Sequence, residues 1–189
     1  MKVTVFGGTN PATNPKWYDV ATRMGKLLVE NGFEMVWGGN AHGVLAQIKR
    51  IYVDNNAPNT LVIPNAYKDD LKNMTTDKVV QVDTIAERTR GLIGPADVVI
   101  TMPGGIGTIY EFWSAVEYKR AEEFNIEIIL LNFDNFYQHQ LAHYDFINEH
   151  GFTTIGKGGA PYKIHPRDLF RVATTPEEVI EILKTLKSK

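Results

Sequence analysis

Apolar and polar positions form two repeating patterns along this chain. In the first pattern, short runs such as residues 98–100 and 128–131 are apolar at every position. In the second, apolar residues recur at helical spacing, as after the first strand-like run: Trp17, Val20, Ala21, Met24, Leu27 and Leu28. A strand that is apolar at consecutive positions is buried on both faces, which is typical of parallel sheets covered by helices. The alternation predicts an α/β protein with a doubly wound, mostly parallel sheet.

The same patterns place the individual elements. The predicted strands are KVTVF, FEMVW, TLVIP, VVQVD, DVVITM, IEIILLN and LFRVA. Predicted helices follow the first strand and then cover about 42–54, 84–94, 107–122 and 134–150, before the closing segment TPEEVIEILKTLK. With 189 residues and no evident boundary, we expect a single domain over residues 1–189.

Composition narrows the possible functions. The chain has no cysteine, which excludes disulfides, thiolate metal sites and a cysteine nucleophile. Its net charge of -2 gives no basic excess, so neither nucleic acid nor a membrane surface is a predicted partner. The first residues already form a predicted strand, so no signal peptide is predicted. No apolar run is long enough to span a membrane. We therefore expect a cytoplasmic location.

Glycine pairs follow three of the predicted strands. They are Gly7-Gly8, Gly38-Gly39 and Gly104-Gly105, the last joined by Gly107. Carboxyl ends of parallel strands meet at one edge of the sheet, where doubly wound proteins bind ligands. Glycine lets backbone N–H groups approach a ligand, and a helix N-terminus adds free N–H groups and partial positive charge. The pattern predicts a phosphate site at this edge.

The chain does not match three motifs that often mark nucleotide or metal sites. The loops GGTNPA and WGGN match neither part of a dinucleotide fingerprint. The segment Gly151–Gly158 misses the P-loop spacing by one residue and follows a helix. The pair His139 and His143 has zinc-like spacing, but no third ligand is obvious, so a solvated helix face is favoured. No metal is predicted.

Two charged side chains stand near the glycine loops. Thr108 and Glu111 form T-x-x-E, which fits either a plain capping box or a carboxylate placed beside a bound anion. Thr84 and Glu87 form a second capping box, which puts Arg88 in the first turn of a helix that opens at the same edge. The planar guanidinium of arginine matches phosphate oxygens, although a surface arginine would also fit.

These residues together resemble a known family. PGGIGTIYE at Pro103–Glu111 fits P-G-G-x-G-T-x-x-E, with Glu87-Arg88 upstream, GGNAHG at Gly38–Gly43 and GGT at Gly7–Thr9. The chain thus resembles the LOG family of cytokinin riboside 5′-monophosphate phosphoribohydrolases, often labelled lysine decarboxylases. The family's M-H-E-R-K reads IAERT here, and its G-G-G-x-x-G-L-M-G reads GGNAHGVLA.

The resemblance implies a Rossmann-like fold, a homodimer and a small-molecule nucleotide as substrate, with no cofactor. The implied reaction is hydrolysis of the N-glycosidic bond of a nucleoside 5′-monophosphate, of the AMP or N6-modified AMP type. Arg88 and Glu111 would be the catalytic pair. The residues expected to bind phosphate and substrate are Gly8, Thr9, Gly39, Asn40, Gly104, Gly105, Gly107 and Thr108.

A mechanism follows from these roles. A carboxylate beside the ribose would stabilise or attack the oxocarbenium-like transition state. Because Glu111 lies within one turn of a helix N-terminus, we expect the helix dipole to favour its ionised form. Arg88 would offset repulsion between the phosphate and Glu111.

Two other functions compete with hydrolysis. The same loops would serve a protein that binds a nucleotide or a molybdenum cofactor without catalysis. A pyridoxal-phosphate decarboxylase would need a lysine beside the phosphate, and only Lys157 lies in a glycine-rich context. The aromatic residues Tyr110, Phe112, Trp113 and Tyr118 fit either the core or a dimer interface.

Overall fold

A computed structural model describes residues 1–39, 42–73, 75–153 and 162–187. The strands are β1 (Lys2–Phe6), β2 (Glu34–Trp37), β3 (Asn59–Pro64), β4 (Lys78–Val82), β5 (Val98–Thr101), β6 (Glu127–Leu131) and β7 (Arg171–Ala173). The helices are α1 (Lys16–Glu30), α2 (Gly43–Asp54), α3 (Ile85–Ile93), α4 (Ile106–Arg120), α5 (Gln138–Glu149) and α6 (Pro176–Lys187). Short 3-10 segments cover Asn65–Asn73, Phe133–Asn135 and Pro166–Asp168.

The seven strands form one sheet in the order β4-β3-β2-β1-β5-β6-β7. Every pairing between neighbours is parallel. The chain first winds outward from β1 to β4, then returns to the other side of β1 and winds outward from β5 to β7. This order is the doubly wound arrangement that the sequence predicts, so the fold class is confirmed.

Helices cover both faces of the sheet. One apolar cluster joins α1, α2 and α6 to the sheet, and the other joins α3, α4 and α5 to its opposite face. Adjacent strand residues point into different clusters: Val99 packs with α4, whereas Ile100 packs with the α1 layer. This explains why the central strands are apolar at consecutive positions.

The predicted helix over 134–150 begins later than expected. Asp134 and Asn135 have φ angles of 54° and 56°, in the left-handed region. Two such residues cannot continue a right-handed helix. The segment Phe133–Asn135 is instead a tight turn, and α5 begins at Gln138.

The two edges of the sheet differ in character. Helices return to the next strand through turns at the amino-terminal edge, where Gly32, Asn56 and Glu122 have positive φ angles of 69°, 50° and 58°. The glycine loops predicted to bind a ligand all lie at the carboxyl-terminal edge. None of the described helices combines the length and apolar character needed to cross a lipid bilayer.

Candidate functional site

A cleft of about 740 Å³ opens where β1 and β5 end. These strands are neighbours, but the chain leaves them in opposite directions, which is the switch point where doubly wound proteins bind ligands. The loops after β1, β2 and β5 all contribute to the cleft, and α3 adds a side chain. The structure therefore brings the three predicted glycine loops together.

The predicted site residues converge on this cleft. Those that line it are Gly8, Thr9, Gly39, Arg88, Gly104, Gly105, Gly107, Thr108 and Glu111. Asn40, also predicted to bind phosphate, lies outside the described residues.

Helix α4 begins in the cleft without a side-chain cap. Gly105 is its N-cap residue, in an extended conformation, and Ile106 is its first helical residue. The first four N–H groups of any helix lack partners within the helix. Thr108 is the third residue of α4 and is buried, so the alternative of a Thr108–Glu111 capping box is wrong.

Protein groups accept hydrogen bonds from N–H groups at the start of the other three helices that open at the cleft. At the start of α1, the Lys16 N–H donates to Asn14 Oδ1 at 3.0 Å. The Gly8 carbonyl oxygen accepts a hydrogen bond of 3.2 Å from the Leu45 N–H in the first turn of α2. Thr84 and Glu87 cap α3 reciprocally, as predicted. Because α4 has no side-chain cap and begins in the cleft, its first-turn N–H groups suit an external anion.

Close packing explains the glycine at position 104. A Cβ atom on Gly104 would lie 2.2 Å from Thr108 Oγ1 and 2.7 Å from the Gly8 nitrogen. The Gly8 N–H donates to the Pro103 carbonyl oxygen at 3.1 Å. Gly8 therefore joins the β1 and β5 loops and has no amide to offer a phosphate. Gly8 thus lines the cleft, but its N–H is not available for the predicted contact with phosphate.

Packing does not explain Gly105 and Gly107. A Cβ atom on either residue would meet nothing within 4 Å, and neither residue has a positive φ angle. A glycine inside a helix lowers the stability of the helix by about 0.5–1 kcal/mol relative to alanine. The absent side chains keep the space in front of the α4 N–H groups open.

Arg88 and Glu111 form an ion pair inside the cleft. Arg88 Nη1 lies 3.2 Å from Glu111 Oε1, and the two side chains are 20% and 12% exposed. Arg88 Nε and Nη2 also donate to the Gly38 carbonyl oxygen, at 3.2 and 3.0 Å. A Cβ atom on Gly38 would lie 2.0 Å from Arg88 Nη2, so a side chain at this position would displace the guanidinium.

The protonation of Glu111 differs from the prediction. Burial raises the pKa of its carboxyl group, and the charge and hydrogen bond of Arg88 only partly oppose this rise. The expectation that the α4 dipole would dominate and favour the ionised form is wrong, because desolvation is the larger effect. Glu111 thus reaches its charged form at higher pH than an ordinary glutamate.

Sequence reasoning missed two residues that shape the cleft. Gly43 has a φ angle of 71°, and a Cβ atom there would lie 2.4 Å from the Gly8 carbonyl oxygen. The buried Tyr137 donates from its hydroxyl to the Met102 carbonyl oxygen at 2.7 Å, directly before the Pro103-Gly104 turn. Its position just beyond β6 was the available signal, since that edge carries the site.

The remaining candidates lie elsewhere. His139 and His143 are exposed on α5, and the described residues contain no group of three or more potential metal ligands. Lys157 and most of Gly151–Gly158 fall outside the described residues. Phe112 is core, Trp113 and Tyr118 pack partly against it, and Tyr110 is exposed. The homodimer stays a prediction.

Comparison with known proteins identifies the family. Residues 38–183 match the family described as "Possible lysine decarboxylase". This match covers most of the chain, so the chain belongs to that family. Relatives named for the LOG phosphoribohydrolases match over most of the same region, which confirms the resemblance seen in the motifs.

The relatives are similar at modest identity. A rice protein named "Probable cytokinin riboside 5'-monophosphate phosphoribohydrolase LOGL5" is 27% identical over 154 residues, which cover 81% of this chain and 63% of the rice protein. The *Arabidopsis thaliana* protein named "Cytokinin riboside 5'-monophosphate phosphoribohydrolase LOG2" is 25% identical over 81% of this chain and 72% of its own length. The chain thus spans under two thirds of the rice protein.

Solved structures share the fold. The molybdenum cofactor binding protein from *Rippkaea orientalis* matches with a TM-score of 0.70 and 20% identity, over 98% of this chain and 96% of that protein. The molybdenum cofactor carrier protein from *Chlamydomonas reinhardtii* matches with a TM-score of 0.69 and 17% identity, over 100% and 98% of the two chains. At these identities the likeness establishes the Rossmann-like fold alone.

Proposed function

We propose that this protein hydrolyses the N-glycosidic bond of a nucleoside 5′-monophosphate, of the AMP or N6-modified AMP type. The products are the free base and ribose 5-phosphate. The observation that carries the proposal is the partly buried Arg88–Glu111 pair in the same cleft as the uncapped N-terminus of α4. The names of the relatives, as phosphoribohydrolases, support the same reaction.

The 5′-phosphate is assigned to the α4 N-terminus. The N–H groups from Gly105 to Thr108 lie at the start of α4, which lines the cleft and has no side-chain cap. Those donors and the partial positive charge of the helix end favour an anion. The phosphate held there brings the attached ribose towards Glu111, one turn further along α4.

Glu111 is assigned to the sugar. Cleavage of the C1′–N bond leaves positive charge on the ribose ring, and an ionised carboxylate stabilises it. Burial strengthens this interaction because little water screens it. Water supplies the hydroxyl group that ends on C1′, and the base leaves with a proton.

Arg88 is assigned to positioning and charge balance. Two of its nitrogens are fixed on the Gly38 carbonyl oxygen, and the third contacts Glu111. The guanidinium therefore holds the carboxylate in place and offsets its repulsion from the phosphate.

Two competing functions fit the site less well. A carrier of a nucleotide or molybdenum cofactor has the same fold, but it has no need for a partly buried carboxylate near a bound anion, which is costly. A pyridoxal-phosphate enzyme requires a lysine, and no lysine is found among the described residues that line the cleft.

The test is the release of free base from AMP, followed by liquid chromatography. Glu111→Gln should bind AMP but release base at least about a hundredfold more slowly, since the transition state loses its charge partner. The control is Glu117→Gln, an exposed residue of the same helix paired with Arg120, which should keep the wild-type rate. Wild-type hydrolysis by Glu111→Gln would overturn the mechanism, and a wild-type protein that binds AMP without cleaving it would make the protein a carrier.

A further inference from the structure

The histidine pair on α5 plays no part in the proposed reaction. His139 and His143 lie one turn apart on this helix, and both are exposed. Both also line a surface recess of about 610 Å³ between α5 and Trp113 of α4, outside the cleft. The sequence favours a solvated helix face for this pair, whereas the structure gives the two rings a common recess.

The geometry of α5 allows the two rings to bind one metal ion. Residues four apart on an α-helix lie on the same face, with their Cβ atoms about 5–6 Å apart. An ion about 2.0–2.1 Å from one nitrogen of each ring fits that separation, and paired helical histidines at this spacing bind Zn²⁺ in metalloproteases. His139 and His143 have the same spacing.

Packing against the rest of the protein fixes this part of α5. Before the pair, the carbonyl oxygen of the buried Tyr137 accepts a hydrogen bond of 3.0 Å from the Leu141 N–H. Directly after His143, the buried Tyr144 donates from its hydroxyl to the Pro166 carbonyl oxygen at 2.8 Å. The backbone of both histidines is therefore held by the fold, and a bound ion has only two side chains to order.

The chemistry of the recess suits a transition-metal ion. The other residues that line the recess carry no positive charge: Trp113, Gln140, Tyr144 and Ile147. Gln138 Nε2 lies 3.4 Å from His139 Nε2, a long contact that a metal–nitrogen bond can replace. Imidazole nitrogen binds Cu²⁺, Ni²⁺ and Zn²⁺, and the affinity is highest for Cu²⁺. Mg²⁺ and Ca²⁺ prefer oxygen ligands.

We propose that His139 and His143 form a surface site for a divalent transition-metal ion, with Cu²⁺ bound most tightly. The ion bonds to one nitrogen of each ring, and water fills its remaining positions. Two protein ligands make a weaker and more open site than the three or four of catalytic and structural zinc sites. This agrees with the described residues, which contain no group of three or more potential ligands.

Quenching of tryptophan emission by Cu²⁺ tests where the ion binds. Trp113 lines the recess, whereas Trp17 lines the cleft and Trp37 is fully buried. Bound Cu²⁺ should therefore quench chiefly Trp113. The variant Trp113→Phe should lose most of the quenching, while calorimetry still shows Cu²⁺ binding. Quenching that survives unchanged in Trp113→Phe would overturn the site.

Single substitutions assign the binding to the pair. His139→Gln and His143→Gln each leave one ligand, so each should weaken Cu²⁺ binding about tenfold or more in calorimetric titrations. His150→Gln is the matched control, because this C-cap residue of α5 contacts the Phe146 carbonyl oxygen at 2.8 Å and does not line the recess. It should keep the wild-type affinity. Wild-type affinity in both variants of the pair, or an equal loss in His150→Gln, would overturn the proposal.

Two further measurements separate the metal site from effects on the fold or on the proposed function. Electron paramagnetic resonance of the copper complex should show two coordinated nitrogens, and one or none would contradict the proposal. Because both histidines are exposed, their glutamine variants should melt at the wild-type temperature and release base from AMP at the wild-type rate without added metal. A wild-type protein that binds copper at the pair but releases no base would overturn hydrolysis and support the metal site.

Discussion

A single partly buried carboxylate is central to the proposed chemistry of this cleft. Glu111 is shielded from water and has one cationic partner, Arg88. Its position in α4 could be predicted from T-x-x-E, but its protonation could not. Desolvation depends on the residues from other elements that surround it, which no local motif specifies.

The raised pKa of Glu111 predicts a pH-dependent stability difference. A carboxyl group with a folded-state pKa above its unfolded value holds its proton more tightly in the folded protein. Its contribution to stability is therefore lost as pH rises from the unfolded pKa through the folded pKa. The difference in the free energy of unfolding, Glu111→Gln minus wild type, should therefore increase across this pH range and then level off. Urea unfolding at a series of pH values measures it, and a difference that shrinks with rising pH would contradict the shift.

The cleft glycines predict opposite effects of one substitution. Gly43→Ala places a methyl group against the Gly8 backbone at a positive φ angle, so it should destabilise the fold by about 2–4 kcal/mol.

Gly107→Ala meets no protein atom and should leave the fold as stable or stabilise it by up to about 1 kcal/mol. Helical Cβ atoms tilt towards the N-terminus, so this methyl group should still weaken AMP binding about tenfold or more. Thermal melts and AMP titrations check both; normal AMP binding by Gly107→Ala would count against the phosphate site.

At the scale of elements, the choice of anion site depends on which helix ends are capped. The sequence predicts the Thr84–Glu87 box correctly and suggests the same role for Thr108 and Glu111. The two motifs look alike locally. They differ because α4 begins at Ile106, before the threonine, with Gly105 as its N-cap residue. The preceding Gly104 packs against the β1 loop, a tertiary contact that the local motif does not specify.

The loop before α4 should depend on one hydroxyl group from another element. Tyr137→Phe leaves the buried Met102 carbonyl oxygen without its donor, so we expect about 1–3 kcal/mol less stability. It should also raise the KM for AMP, because the Pro103-Gly104 turn is less well fixed. Tyr144→Phe is the matched control, since its hydroxyl donates to the Pro166 carbonyl oxygen at 2.8 Å, away from this turn. We expect Tyr144→Phe to lose a similar amount of stability but to keep the wild-type KM for AMP. If the two variants have the same KM, Tyr137 does not position the turn.

At the scale of the whole molecule, the pattern of apolar runs predicts the layers but not the order of strands. Fully apolar strands such as β5 and β6 indicate a covered parallel sheet. The sequence pattern does not tell which strand lies beside β1, because that depends on how the crossover helices pack. The structure places β5 there. That adjacency creates the cleft. The convergence of the glycine loops could be expected, whereas the positions of Phe136 and Tyr137 depend on the path of the chain after β6.

Ligand binding should stabilise the entire fold, because the cleft draws on both halves of the sheet. For Glu111→Gln protein at about a hundred times the dissociation constant of AMP, we expect about 2.7 kcal/mol of added stability. Calorimetric melting with AMP, and with adenosine at the same concentration, measures it. Adenosine should give a much smaller shift, and equal shifts would show that the phosphate contributes little to binding.

The turns at the far edge of the sheet have a practical use. Residue Asn55 is exposed there, between α2 and β3, and the chain contains no cysteine of its own. An Asn55→Cys variant would carry a single thiol for attachment to a sensor chip or bead. Molecules tethered this way would all present the cleft to the flowing solution, in one orientation.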